Sequence, residues 1–391
     1  MRSSRLPENL EPNPLARAVA HLRSRGVKIV DLTESNPTSV GLSYPPDLLA
    51  PLADPEALRY DPQPLGLWAA RAAVAGDFRR RGIAISADRV AITASTSEAY
   101  ALLFKLWCDP GDVVLVPRPS YPLFEHLTRL ESIVATPYDL EYHGSWRIDL
   151  ASVQRAIGPR VRAILVVSPN NPTGSFLHRH DLSALTAVCA EHGCALIGDE
   201  VFADYPLDPA PAAASVLGQA EVLTASLGGL SKSAGLPQVK LGWIGFGGPT
   251  HAVDDALSSY EIAADTYLSV STPVQIAAPA LIERGAAIRE QIQARVKGNL
   301  EALRLRVKAF PSVDLLRVEG GWSAVLQVPS IASEESLVID LLTRDGVLVH
   351  PGYFFDFARE AFVVVSLLVE PAVFTSGVER VLQRATRGVH A

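Results

Sequence analysis

Apolar residues along this chain follow two rhythms, and the change from one to the other divides it. Short continuous apolar runs recur at residues 90–93, 113–116, 163–167, 195–198, 222–225 and 242–246, and helical spacing separates them at 96–108, 121–130 and 180–192. Continuous rather than alternating runs predict strands buried on both faces, and their alternation with helices predicts a mostly parallel sheet. From 273 to 310 the period becomes three to four, with Ile288, Ile292, Val296, Leu300, Leu303 and Val307 along one face of an amphipathic helix. Strands at 324–328, 347–350 and 362–368 then mix with helices. Ahead of the sheet region the pattern predicts a helix over 13–25, with Asn13 as cap, Pro14 at its first position and Gly26 as stop. A short strand over 27–32 and a helix over 69–81, ended by Gly82, follow.

The expected architecture is α/β. A large domain covers residues 46–274. The N-terminal segment 1–45 joins residues 275–391, which begin with an interdomain helix, in a smaller α+β domain. Composition agrees: 48% hydrophobic and 20% charged residues are ordinary for a chain with a sizeable core. A net charge of −7, from 35 basic and 42 acidic residues, argues against a nucleic-acid surface and for a soluble, cytoplasmic protein. Cys108, Cys189 and Cys194 form no Cys-x-x-Cys pair, so neither a disulfide framework nor a metal site is expected. Arg5, Glu8 and Glu11 are followed by no apolar core, which excludes a signal peptide there. No run reaches the roughly 18–20 apolar residues of a membrane helix.

The candidate chemistry collects where the strands end, the edge at which open parallel sheets bind ligands. The turn Ser168-Pro169-Asn170-Asn171-Pro172-Thr173-Gly174 follows one strand, Asp199 follows the next, and Ser231-Lys232 lies just beyond a third. A lysine amine can form a Schiff base with an aldehyde. An isolated carboxylate can keep a pyridine nitrogen protonated, and an asparagine amide can bond a phenolic oxygen. These are the parts that pyridoxal phosphate chemistry requires. Thr93-Ala94-Ser95-Thr96-Ser97-Glu98 opens a helix. Its hydroxyls and free N–H groups suit a phosphate, and Ser95 with Glu98 equally suits a capping box.

These motifs stand with Tyr60…Gly66…Arg71, Asp109-Pro110-Gly111-Asp112, Pro119-Ser120-Tyr121-Pro122, Asp199-Glu200 and Lys240-Leu241-Gly242-Trp243. Together they resemble the class I/II aminotransferases, aspartate aminotransferase-like pyridoxal phosphate enzymes of fold type I, over nearly the whole chain. The resemblance implies a seven-stranded-type large sheet and pyridoxal 5'-phosphate as cofactor. It implies a ping-pong transfer of an amino group, through a Lys232 aldimine, between an amino acid or related amine and a 2-oxo acid. By it Lys232 is the Schiff-base lysine and then the base, Asp199 pairs with the ring nitrogen, and Asn171 bonds the phenolic oxygen and faces the substrate. Tyr121 stacks on the ring, while Ser95, Thr96, Ser97, Ser231 and Lys240 surround the phosphate. Tyr60 reaches the phosphate of a partner subunit, which implies a homodimer with shared sites. Read from the residues alone, the lesser alternatives are a core aromatic for Tyr121 and a surface lysine for Lys240.

The chain departs from the family at four places. Lys240 stands where the family has arginine, keeping the charge but losing the bidentate fork. Phe202 stands where a tyrosine would bond the phenolic oxygen, and Ser35 stands for a glycine in the N-terminal loop. The arginine for the substrate carboxylate should fall near Val364, with Arg359 five residues before it. Either Arg359 or another basic group binds that carboxylate, or the substrate lacks the usual contact.

Competing functions are a carbon–sulfur β-lyase of the same fold, a non-catalytic ligand-sensing module and a nucleotide-binding α/β protein. The last lacks its Gly-x-Gly-x-x-Gly after a strand. The sensing module would carry a helix-turn-helix domain ahead of a fold that here begins by about residue 13.

Overall fold

Eight strands form the central sheet of the computed structural model, which describes residues 3–208 and 214–387. Across the sheet they run Val90–Thr93, Gly242–Gly247, Thr224–Gly229, Ala195–Asp199, Val161–Val167, Val113–Arg118, Val134–Tyr142 and Trp146–Ile148. The five from Thr224–Gly229 to Val134–Tyr142 are parallel. Gly242–Gly247 is antiparallel to both of its neighbours. Burial explains the continuous apolar runs. Leu165 and Ile197 enter one core cluster while Ile164 and Leu196 enter another, so alternate residues serve opposite faces.

Two details differ from the expectation. The sheet has one strand more than the seven-stranded type, because Trp146–Ile148 pairs antiparallel with the end of Val134–Tyr142. The strand expected at 222–225 runs instead as Thr224–Gly229. The strand runs on through Gly228 and Gly229, where a close neighbour leaves no room for side chains. A Cβ on Gly228 would lie 2.3 Å from Trp243 Nε1, and one on Gly229 3.0 Å from the Leu241 carbonyl oxygen.

The smaller part holds an antiparallel sheet in the order Asp314–Leu315, Ser323–Gln327, Phe362–Ser366, His350–Pro351. Val30–Asp31 pairs in parallel with Val347–Leu348, which ties the N-terminal segment to the C-terminal one. Helices Thr272–Arg284 and Ala286–Val307 join the two parts. Of the predicted stripe, Ile288, Ile292, Val296, Leu300 and Leu303 are all at most 2% exposed.

The joint between these helices braces the turn after Thr224–Gly229. A Cβ on Gly285 would lie 2.4 Å from the Ala234 Cβ, so only glycine permits this approach. The Tyr44 hydroxyl donates to the Gly235 carbonyl at 2.8 Å, and the Arg289 guanidinium donates to the Ser233 carbonyl at 3.2 Å. The segment 230–235 is therefore gripped from three sides.

Gly228→Ala should destabilise the protein by about 1–3 kcal/mol, since a rigid indole must move to admit the methyl group. Gly158→Ala, where a Cβ meets nothing within 4 Å, is the control. Thermal melts should show Gly228→Ala several degrees below wild type and Gly158→Ala close to it; equal melts would refute the packing argument.

Candidate active site

Three parallel strands, Val161–Val167, Ala195–Asp199 and Thr224–Gly229, end at one edge of the sheet and deliver Asn171, Asp199 and Lys232 there. Lys232 lies on the one-turn helix Leu230–Ser233, anchored by the fully buried Leu230. The Tyr205 hydroxyl donates to the Lys232 carbonyl and fixes the turn. The lysine Nζ lies 4.9 Å from the Trp322 ring centre and 5.4 Å from that of Phe202. It makes no hydrogen bond or ion pair among the described residues. Burial pushes its pKa down to about 8, against the opposing pull of Asp199.

Asp199 is the electrostatic counterpart. Burial lifts its carboxyl to about 6, although it accepts hydrogen bonds from the Tyr100 hydroxyl at 2.8 Å and the Val201 N–H at 3.2 Å. Tyr121 is 45% exposed, and its hydroxyl is raised by burial and by the charge of Asp199, which places it within electrostatic reach of the same carboxylate.

The capping box expected in the Thr93–Glu98 stretch is present, and it leaves the next two residues open. Ser95 caps helix Thr96–Trp107, its Oγ accepting from the Glu98 N–H at 3.1 Å, and the Glu98 carboxylate accepts from the Ala94 N–H at 2.6 Å. The N–H and hydroxyl groups of Thr96 and Ser97 keep no partner among the described residues. A Cβ on Gly242 would fall 2.9 Å from the Ser95 carbonyl carbon. The strand start and the helix end therefore touch, and Lys240 precedes that contact by two residues. Lys240 is exposed, in the left-handed region at φ 59°, and Ser231 is half-buried.

In the asparagine turn the two neighbours have different duties. The Asn170 side chain is consumed internally, accepting from Ser120 Oγ at 2.8 Å and donating to the Pro119 carbonyl and Thr173 Oγ1. Asn171 accepts from Ser323 Oγ at 3.3 Å, and its amide N–H₂ has no partner among the described residues.

Known proteins resemble the chain over most of its length. The family profile "Aminotransferase class I and II" matches residues 50–381. The chain belongs to the class I and II aminotransferases. It is 25% identical over 366 residues to the glutamate-pyruvate aminotransferase AlaA of Escherichia coli, covering 90% of each chain. It is 25% identical over 349 residues to an alanine aminotransferase of Mycobacterium tuberculosis, covering 87% of this chain and 81% of that one. In fold it is similar to the alanine aminotransferase structure from Pyrococcus furiosus, with TM-score 0.87, 22% identity and coverage of 98% and 99%.

This aminotransferase depends on pyridoxal phosphate, and its residues fit that group. The lysine amine and the Asn171 amide, without partners among the described residues, and the open helix N-terminus with a nearby lysine supply donors for an anionic, aldehyde-bearing ring.

The remaining expected residues fall in different places. Tyr60 is 74% exposed and lies outside this cluster. Ser35 is exposed in a loop whose base is tied to the small sheet, where the Ser366 N–H donates to the Leu32 carbonyl at 2.7 Å. Val364 is 2% exposed among Trp146, Val325, Leu316 and Phe355, so the expected arginine position is apolar. The structure does not bring Arg359 to the cluster. Its guanidinium lies over Phe362 and reaches Gln327 at 3.5 Å, the register partner of Phe362. The Ser323–Ser366 pair beside Asn171 is four residues away, roughly 13 Å along the strand.

Two residues of the site went unread in the sequence, Tyr100 and Trp322. Tyr100 lies one helical turn beyond Thr96, a spacing that puts both on one face. Trp322 had no local signal. It arrives because Gly320 passes close to the asparagine turn, where a Cβ would lie 2.9 Å from Pro169.

The raised carboxyl of Asp199 has a stability consequence. Its contribution to the cofactor-free protein is complete below the ordinary carboxylate value and is lost as pH rises through about 6. Asp199→Asn should therefore stabilise the cofactor-free protein at pH 7.5 by on the order of 2 kcal/mol, with the gain shrinking toward pH 4. Denaturant titrations at the two pH values read this; a variant less stable than wild type at pH 7.5 would contradict it.

Proposed function

We propose that this enzyme moves an amino group between alanine or glutamate and a 2-oxo acid, in two half-reactions on Lys232. The observation that carries the reading is the unpartnered Lys232 amine, lowered to about 8, beside an Asp199 held by Tyr100. The named activities of the AlaA and alanine aminotransferase relatives support the choice of donor.

When bound, pyridoxal phosphate supplies an electron-accepting ring conjugated to the substrate. Asp199 would keep a positive charge on the ring nitrogen, and the Asn171 amide would donate to the phenolic oxygen. Thr96, Ser97, Ser95, Ser231 and Lys240 would hold the phosphate, and Tyr121 would cover the ring. Lys232 Nζ would take the proton from the donor's Cα and deliver it to the cofactor's former aldehyde carbon, on the far side of the donor nitrogen. An amine near pKa 8 is suited to both tasks. The substrate carboxylate meets neutral donors, the Asn171 amide and the loop of Ser35, in place of a guanidinium, and the Ser323 hydroxyl, whose proton goes to Asn171 Oδ1, orients that amide. The apolar surroundings of Val364 support this.

We further read the protein as a cytoplasmic homodimer in which Tyr60 reaches the partner's phosphate. Exposed Leu58, Tyr60, Trp68, Ile262 and Tyr267 are apolar surface for a second copy. A net charge of −7 and free cysteines suit a reducing compartment, and among the described residues no helix is long and apolar enough to cross a membrane. The division at about residues 45 and 275 is the corresponding domain boundary.

Mixing the holoenzyme with L-alanine or L-glutamate alone should bleach the cofactor's absorption stoichiometrically and release one equivalent of pyruvate or 2-oxoglutarate, without ammonia. Catalytic release of ammonia and pyruvate from a β-substituted amino acid, with neither donor reacting, would replace transamination by a lyase reaction.

A further inference from the structure

The donor's carboxylate has no strong partner so far. The family resemblance expects an arginine near Val364, and that position is apolar. Arg359 lies at the far end of the strand, over Phe362 and toward Gln327. Arg295, on the linking helix, donates to the Val40 and Leu368 carbonyl oxygens at 2.9 and 3.2 Å. The strand beside Val364 offers another group.

His350 stands directly next to Val364, as its register partner on the antiparallel strand His350–Pro351. On the other side Val364 pairs with Val325, and Ser366 pairs with Ser323. Cross-strand partners, and residues two apart on one strand, point to the same face of a sheet. His350, Val364, Ser366 and Ser323 therefore share one face of the small sheet. Ser323 shows where that face leads, since its hydroxyl bonds Asn171 Oδ1. Val364 is two residues from Ser366, roughly 7 Å along the strand.

Two other borders of the site meet the same imidazole. Its ring crosses that of Phe355 at 86°, with centres 5.6 Å apart, and the Phe355 carbonyl accepts from the N–H of Ser120, the neighbour of Tyr121. The charge of Asp31, four residues before Ser35, acts on it from the N-terminal segment. His350 is half-buried, and neither ring nitrogen has a hydrogen-bond partner among the described residues. Neither nitrogen is sealed inside the protein. Burial lowers the imidazole's pKa against the pull of Asp31, so the unliganded protein holds a neutral ring beside its apolar neighbours. A neutral imidazole still donates one N–H, and a nearby carboxylate favours the protonated form that donates two. A guanidinium could not shed its charge in this way.

We propose that His350 binds the amino donor's α-carboxylate, in place of the arginine that the chain lacks at Val364. This rests on transamination of alanine or glutamate at Lys232.

The test compares donors with and without that carboxylate, in single-turnover reactions of the holoenzyme. His350→Leu should lower kcat/KM for L-alanine and for L-glutamate alike, by roughly ten- to a hundred-fold. Ethylamine, which is alanine without its carboxylate, should react with the variant as slowly as with wild type. The preference for alanine over ethylamine should therefore shrink by the same factor, while the cofactor's absorption and its attachment to Lys232 stay unchanged. His350→Gln, which keeps an N–H donor, should recover part of the loss. An unchanged preference for alanine overturns the proposal. So does an equal slowing of alanine and ethylamine, which would mark packing damage. A loss confined to glutamate also overturns it, by moving the imidazole to the side-chain carboxylate. A wild type that takes an amino group from neither amino acid rejects the transamination reading itself, and the proposal with it. Should His350→Leu fail to fold, ¹⁵N-histidine labelling of the unaltered holoenzyme decides. One of the nine histidines should show an imidazole shift with 2-aminoisobutyrate, which has no α-proton to lose, and none with isopropylamine, the same molecule without its carboxylate. No shift specific to the carboxylate overturns the proposal.

Discussion

Two groups of opposite charge, Asp199 and Lys232, are held in the same desolvated edge of the sheet without bonding each other, and the rest of the site depends on that arrangement. Burial pushes the carboxyl up to about 6 and the amine down to about 8. Each is thereby kept closer to its neutral form than it would be in water, and a ligand that offers a positive ring nitrogen and an aldehyde relieves both. The supports follow from this tension. Tyr100 bonds the carboxylate, Tyr205 ties down the lysine's backbone, and Gly285 lets the linking helix press against Ala234.

Glycines decide how closely the pieces meet. Gly228 and Gly229 let the lysine-bearing strand run flush against its antiparallel neighbour, so that Lys232 emerges beyond the sheet edge and not within it. Gly320 lets the small sheet approach the asparagine turn, and so Ser323 meets Asn171, 152 positions earlier in the chain, and Trp322 meets Lys232. The site is thus built across both parts of the molecule. The large sheet supplies charge, and the small sheet supplies the aromatic wall and the neighbour of Asn171.

Much of this was legible in the residues. The apolar runs marked most of the buried strands, and the three-to-four spacing marked the linking helix, because both periods are local consequences of burial. Asp199, Asn171 and Lys232 converge because parallel strands end at one edge. What could not be read was long-range. Trp322 reaches the lysine only through a glycine contact with a distant turn. Arg359 is near Val364 in sequence, but it precedes the strand at the end away from Asn171, so five residues of separation become a distance too great for the site. The strand before Lys232 runs past Ala225, where its expected extent ended, because Gly228 and Gly229 serve close packing against Trp243 and Leu241.

The central claim is that Lys232 is the residue prepared to bind the cofactor covalently. Borohydride reduction of the protein with pyridoxal phosphate, followed by peptide mapping, tests it directly. The account predicts a single stable adduct on Lys232, in the peptide that contains Gly228-Gly229-Leu230-Ser231. An adduct on Lys240 or any other lysine, with Lys232 unlabelled, would contradict it.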